Sequence, residues 1–272
     1  MNGNADFNFY ISRWGLVPDG DAIVTHSSRL LPVRRDGEPA MLKIAVEPEE
    51  KWGNGLMIWW SGIGAARVLE HDADAILLER AMGCRSLADM ASHGKDDEAS
   101  RIICDVVAGL HAPRHSSPPK LVPLTDWFRT LEPMASREGG ILLRSAATAR
   151  ALLANPSEVV PLHGDVHHGN ILDFEARGWR AIDPKRLEGE RGFDYANLFC
   201  NPNHPVATAP DRLARQASVV AEAAGLARKR LLQWIVAWAG LSAAWSIEDG
   251  ADDHAAPTIQ IAEIAAAELD KS

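Results

Sequence analysis

A chain of 272 residues, 46% hydrophobic and 24% charged, has the make-up of a globular protein able to bury a sizeable core in one large domain or two lobes. Its formal charge of −9 argues against nucleic acid or an anionic membrane as main partner and is compatible with a cationic small ligand. Cys84, Cys104 and Cys200 are widely spaced and odd in number, which excludes a disulfide framework or zinc knuckle and points to a reducing compartment; no basic, apolar leader opens the chain.

From the N-terminus, segments 21–35 and 40–46 read as strands, with Asp36-Gly37 as the hairpin turn between Val33 and Met41. Lys43 falls on the return strand among apolar Met41, Leu42 and Ile44. A helix is expected over 49–60, weakened by Gly53 and Gly55, then strands over 65–69 and 75–79 that turn at Asp72-Ala-Asp. A β-rich lobe over 1–80 thus meets a hinge at 81–84, marked by Gly83, and residues 85–272 form a mainly helical lobe. There, Ile102, Ile103, Val106, Val107 and Leu110 make a helical stripe that stops before Pro113. Thr125 is the expected N-cap of a helix over 126–137, and another helix covers 141–154. Leu172 and Ala181–Ile182 flank a short hairpin turning near Gly178, and helices are expected over 211–224, 228–247 and 257–270. The apolar run 231–247 is too short for a bilayer span and is interrupted by Gln233, Gly240, Ser242 and Ser246. Trp234, Trp238, Leu241 and Trp245 recur at helical spacing, so it reads as a buried core helix of a cytoplasmic protein with no membrane partner. The fold class is α+β.

The chemistry concentrates in one stretch. Residues 163–170 read His-Gly-Asp-Val-His-His-Gly-Asn, and Asp183 follows after an apolar run. Phosphoryl transfer needs a carboxylate that accepts the proton of an attacking hydroxyl, plus an amide and a second carboxylate to hold Mg²⁺ on nucleotide phosphates. Asp165 suits the first role, Asn170 and Asp183 the second. The spacing His-x-Asp-x-x-x-x-Asn matches the protein-kinase catalytic loop, with Gly164 in place of its Arg. Lys43 would face the phosphates, paired with Glu50 or, second, Glu49. No Gly-x-Gly-x-x-Gly covers the phosphates; Ser27 and Ser28 offer hydroxyl and backbone donors instead, although a plain hairpin of exposed serines fits equally well. Glu79, closing the last N-terminal strand, is placed among the nucleotide contacts. His163 is read as tying down the loop, and His167 or His168 either as touching phosphate or substrate or, equally, as ordinary hydrogen-bonded residues. Asp194 opens a helical run, as an N-cap or as a buried carboxylate accepting backbone N–H groups of the catalytic loop. The three histidines with Asp165 also suggest a zinc hydrolase, but no His-x-His or His-Glu-x-x-His occurs, and zinc leaves Lys43 and Asn170 unexplained.

His163-Gly-Asp-Val-His-His-Gly-Asn-Ile-Leu, Ala181-Ile-Asp-Pro and Gly192-Phe-Asp-Tyr-Ala-Asn resemble the aminoglycoside phosphotransferases. More narrowly they resemble the streptomycin 6-phosphotransferases of the aminoglycoside/hydroxyurea resistance kinase family. Thr25-His-Ser-Ser-x-x-Leu-Pro-Val-Arg, Pro39-Ala-Met-Leu-Lys, Gly64-Ala-Ala-Arg-Val, Leu110-His-Ala-Pro-Arg and Trp238-Ala-Gly-Leu-Ser-Ala-Ala-Trp carry the narrower match, which runs from about residue 12 to 265. The resemblance implies a protein-kinase-like two-lobed fold, ATP with Mg²⁺, and phosphorylation of the streptomycin 6-hydroxyl by a monomer or weak dimer. It gives Asp165, Asn170, Asp183 and Lys43 the same roles as above. Gly169 stands where close relatives carry Glu, and Lys185-Arg186 replace an uncharged or histidine-containing pair. Streptomycin carries two guanidinium groups, which pair bidentately with carboxylates. Candidate partners are Glu188, Glu190 and the acidic loop Glu248, Asp249, Asp252 and Asp253. Two alternatives stay open: a kinase of this fold for hydroxyurea or a metabolite, and an inactive nucleotide-binding module.

Overall fold

A computed structural model describes residues 4–271, leaving aside the side chains of residues 4–6, 48–50, 52, 252 and 254. The N-terminal part comprises helix α1 (Asn4–Trp14), strands β1 (Leu16–Pro18), β2 (Ile23–Val24), β3 (Ser28–Arg35) and β4 (Glu38–Ala45), helix α2 (Pro48–Trp60), and strands β5 (Val68–His71) and β6 (Ala75–Glu79). These strands form one antiparallel sheet in the order β1-β3-β4-β6-β5, with β2 on the edge of β3. Asp36 and Gly37 turn the β3–β4 hairpin with φ of 52° and 86°, the paired positive φ values that match the twist of the strands they join.

Period-2 alternation on β4 decides what faces where. Ala40, Leu42 and Ile44 pack with Leu31, Val33 and Leu77 under Phe7 and Tyr10 of α1. Met41 and Lys43 therefore face the opposite side, and α2 lies over that side. The helix α1 was not legible in the sequence: its cover for the sheet's far face comes from two aromatic residues in a polar segment.

The second part carries α3 (Leu87–Ser92), α4 (Asp96–His111), β7 (Val122–Pro123), α5 (Leu124–Trp127), α6 (Leu131–Glu138), α7 (Gly140–Ala154) and β8 (Val159–Leu162). After these come β9 (Ile171–Asp173), β10 (Trp179–Ala181), β11 (Leu187–Glu190), two 3₁₀ turns at Arg191–Tyr195 and Asn197–Cys200, α8 (His204–Ala207), α9 (Arg212–Ala224), α10 (Arg228–Glu248) and α11 (Asp252–Leu269). Helix α10 is buried nearly all round, from Leu231 to Ala244, so it has no polar face to orient it. It crosses α7 closely at Gly240, where an added Cβ would come within 2.2 Å of Ser145. Among the described residues no helix is long and apolar enough to cross a membrane.

Three local expectations are corrected. Residues 64–66 do not extend a strand: Ala65 bridges to Ala181 on β10, Ala66 N–H bonding Ala181 O at 2.9 Å, and the strand starts at Val68. Thr125 lies inside α5 rather than capping it, because Pro123 precedes the first turn. The helix expected over 126–137 is split into α5 and α6.

The two parts meet at residues 80–85. Gly83 N–H bonds Asp173 O at 3.0 Å, and a Cβ on Gly83 would lie 2.2 Å from the Asp173 carboxyl carbon. Arg85 clamps the same carboxylate bidentately at 2.7 and 2.8 Å and lies over the Trp179 ring. The connecting segment is thereby fixed to the β9–β10 hairpin, which brings the sheet's open side over residues 170–184.

Candidate active site

A cavity of about 210 Å³ opens between the sheet and the β9–β10 hairpin. Its lining combines apolar Leu30, Met41, Leu78, Leu172 and Ile182 with polar Thr25, Ser27, Ser28, Lys43, Asn54 and Asp183. Such a lining suits a ligand with both a flat apolar part and a charged one.

Lys43 is 7% exposed and ion-paired with Asp183 across the cleft. The side chains of Glu49 and Glu50, proposed as its partners, lie outside the described residues. Asp183 has φ 64°, uncommon outside glycine, which turns its carboxylate from the hairpin into the cleft. Ser27 and Ser28 belong to a tight turn between β2 and β3: Thr25 N–H bonds Ser28 O at 2.9 Å, and Ser28 N–H bonds Thr25 Oγ1 at 3.0 Å. Glu79 also lines the cavity, but its carboxylate binds Arg177 and the Arg67 N–H (2.7 Å), and its own N–H bonds Arg67 O at 3.0 Å, so the nucleotide contact expected of its side chain is taken up by the protein.

Asp165 and Asn170 lie together on the loop beside this cavity, joined to it where Ile182 N–H bonds Asn170 O at 2.9 Å, one residue before Asp183. Asn170 Nδ2 donates to the Asp165 carbonyl at 2.9 Å and to Oδ2 at 3.3 Å; Asn197 Nδ2 donates to Oδ1 at 2.8 Å. Each carboxylate oxygen thus takes one amide donor, which fixes its orientation. The same bonds commit the Asn170 amide nitrogen and leave its Oδ1 for a cation. His163 ties the loop to the hairpin: Nε2 donates to Ile182 O at 2.8 Å and Nδ1 accepts Asp165 N–H at 3.2 Å. Asp194, 1% exposed, accepts His163 N–H at 2.9 Å and Gly164 N–H at 2.7 Å, and His111 Nε2 lies 2.8 Å from Oδ2. It is a buried clamp on the loop rather than a helix cap.

Asn197, Asn201 and His111 escaped the sequence reading. Asn201 Nδ2 bonds Asn197 Oδ1 at 3.0 Å, extending the chain of amides from Asp165. The signal for Asn197 was its place three residues after Asp194, which puts the two on consecutive 3₁₀ turns.

The substrate expectations fare unevenly. Glu190 is 3% exposed and spent on structure: Arg230 clamps it at 2.8 and 2.5 Å, Trp234 Nε1 donates at 2.8 Å and Ser157 N–H at 3.0 Å. Burial alone would raise its pKa, but the bonds from Arg230, Ser157 and Trp234 prevail and hold it below the ordinary value. No substrate contact is open to that carboxylate. Glu188 is exposed beside Pro123 and Val159, on a different cavity from the one holding Lys43. His168 is also corrected: it is 3% exposed, buried near Arg212 and Asp96, and burial first, then Arg212, pushes its pKa down to about 4. His167 is partly exposed instead, its Nε2 3.9 Å from Asp165 Oδ1 and its Nδ1 accepting Gly169 N–H at 3.0 Å. Glu248 and Asp249 are exposed after α10, and exposed Asp253 lines a cavity of about 220 Å³ with Cys200 and His204; the Asp252 side chain lies outside the described residues.

Among the described residues no three His, Cys, Asp or Glu side chains group to hold a metal, which removes support from the zinc reading. One amide oxygen and one carboxylate beside a phosphate-sized polar pocket fit Mg²⁺, which takes few protein ligands and completes its shell with phosphate and water.

The model of the aminoglycoside/hydroxyurea antibiotic resistance kinase family matches residues 13–250. A streptomycin 3''-kinase of Klebsiella pneumoniae is 53% identical over 245 residues, covering 88% of this chain and 92% of that protein. A streptomycin 6-kinase of Streptomyces griseus is 33% identical over 270 residues, covering 93% and 86%. Among solved structures, a thermostable mutant of aminoglycoside phosphotransferase APH(4)-Ia, crystallised with ADP and hygromycin B, superposes with a TM-score of 0.69 at 15% identity over 96% of this chain and 97% of that one. At that identity the likeness concerns the fold, which is the α+β, protein-kinase-like architecture expected from the sequence.

Proposed function

The chain belongs to the aminoglycoside/hydroxyurea antibiotic resistance kinase family, and from that membership we propose that it transfers the γ-phosphoryl group of ATP to a hydroxyl of streptomycin. The observation that carries the chemistry is the Asp165–Asn170 pair joined, through the Ile182 N–H bond to Asn170 O, to the Lys43–Asp183 pair. The 53% identity to a streptomycin 3''-kinase favours the 3''-hydroxyl. The 6-hydroxyl is the second reading, favoured by the 33% identity to a streptomycin 6-kinase.

In this reading the apolar lining of the cleft takes the adenine and its polar lining the triphosphate. Asn170 Oδ1 and Asp183 would hold Mg²⁺, which would supply neutralisation of the charge on the phosphates. Lys43 exchanges its pairing with Asp183 for phosphate oxygens, and donors of the Thr25–Ser28 turn meet the outer phosphates. Asp165, aimed by its two amides, orients the attacking hydroxyl and accepts its proton. Catalysis then rests on positioning and charge stabilisation in a cleft whose groups are already in place. The segment 81–84 acts as the joint between nucleotide and substrate lobes. Exposed Asp249 and Asp253 suit the guanidinium groups of the acceptor. Such an enzyme works in the cytoplasm, where ATP is at hand.

The test is ADP release on mixing the protein with Mg·ATP and streptomycin, hydroxyurea or kanamycin, followed by phosphorus–proton NMR of the product. Turnover with streptomycin alone and a phosphate on O3'' is expected. Turnover with hydroxyurea but not streptomycin would overturn the substrate, and a phosphate on O6 would select the second reading.

A further inference from the structure

Helix α2 reaches the cleft at Gly53 and Asn54. Gly53 packs so closely that a Cβ there would stand 2.2 Å from Pro184 O, next to Asp183. Only glycine permits this approach, and it fixes the following residue at the same end of the cavity. Asn54 is 8% exposed, lines the cavity with Lys43 and Asp183, and its side-chain Nδ2 has no hydrogen-bond partner among the described residues.

A buried amide without a partner is expensive, about 1–3 kcal/mol per unpaired group, and such groups in folded proteins point to something that completes them. The surroundings say what. Nδ2 offers donors and no acceptor, so its complement is an acceptor. Gly53 abuts Pro184, next to the Asp183 that pairs with Lys43, so Asn54 is held on the side of the cavity where those two charged groups meet. There the ligand acceptors are phosphate oxygens.

We propose that Asn54 is a nucleotide-binding residue whose side-chain amide donates a hydrogen bond to a non-bridging phosphate oxygen of the bound nucleotide. The proposal rests on the phosphotransfer reading. It adds a neutral donor from α2 to the cation from β4, so that the phosphate chain is held from both sides without a further positive charge. Pinning α2 at Gly53 makes that donor part of the resting cleft.

Titration calorimetry on the full chain tests it, with Mg·ADP and adenosine as probes against wild type, Asn54→Leu and Asn54→Ala. Leucine keeps the volume and removes the donor; alanine guards against a leucine that fails to fold. Both variants should weaken ADP about 10-fold, the size of one hydrogen bond to a charged group, and leave adenosine within two-fold. Unchanged ADP affinity in both variants overturns the proposal, and so does equal weakening of ADP and adenosine. A wild-type protein that binds neither probe defeats the phosphotransfer reading itself.

Discussion

Removing the Asp194 carboxylate is expected to loosen the catalytic loop without touching any group in the cleft. The side chain is 1% exposed and takes three donors: His163 N–H, Gly164 N–H and the His111 ring nitrogen. In Asp194→Ala all three lose their acceptor at once. Each buried donor left unpaired costs about 1–3 kcal/mol. The vacated space can admit a water that satisfies part of the set, so the lower half of the range for three donors applies, about 3–6 kcal/mol in total. Asp194→Asn keeps the volume and one acceptor but turns an NH₂ toward the remaining donors, for about 2–3 kcal/mol. The loop begins at His163, whose ring holds the Asp165 N–H, so the base shifts when the clamp is lost. A misplacement of that kind lowers kcat about 10²-fold, while Mg·ADP affinity, which the proposed function assigns to Lys43 and Asp183, stays within three-fold. Urea denaturation of wild type and both variants gives the stabilities, and ADP release gives kcat. An alanine variant within about 1 kcal/mol of wild type and fully active would refute the clamp.

Glu190→Gln should lower stability by about 3 kcal/mol, toward the low end for a broken buried pair because Arg230 is partly exposed. Turnover per folded molecule should hold, and a stable variant with impaired streptomycin KM would restore the substrate role denied to this residue. His168 titrates near 4 in the fold, against ~6.5 in the unfolded chain. Between those values the unfolded chain takes up a proton that the native state refuses. The contribution is therefore complete above about pH 6.5 and falls away toward pH 4, by up to about 3 kcal/mol. Denaturation at pH 7 and pH 4.5 should show a shallower loss in His168→Phe than in wild type, and parallel losses contradict it.

The grouping of Asp165, Asn170 and Asp183 was legible because it lies in local spacing: they sit on one loop and the hairpin after it. The place of Lys43 was legible from its apolar neighbours, and the structure adds the reason: Leu42 and Ile44 are buried on the other face of β4. The long helices α9 to α11 were readable from periodicity and composition. What failed depends on distant partners. Glu190 and a free acidic residue look alike in sequence; only the packing of α10, which brings Arg230 and Trp234 to β11, separates them. His168 and His167 are neighbours with opposite fates, one buried against Arg212 and one beside Asp165, because the loop between two fixed ends presents them to different sides. Asn54 and Asn197 were invisible as polar residues in ordinary helical segments until the cleft closed around them.

The central claim is that Asp165 accepts the proton of an acceptor hydroxyl in a nucleotide cleft built from Lys43, Asn170 and Asp183. Asp165→Asn keeps the shape and removes the base, so steady-state ADP release with streptomycin is the direct measurement. A fall in kcat of at least ~10²-fold is predicted, with Mg·ADP binding within two-fold of wild type. Turnover within ten-fold of wild type in that variant would contradict the account.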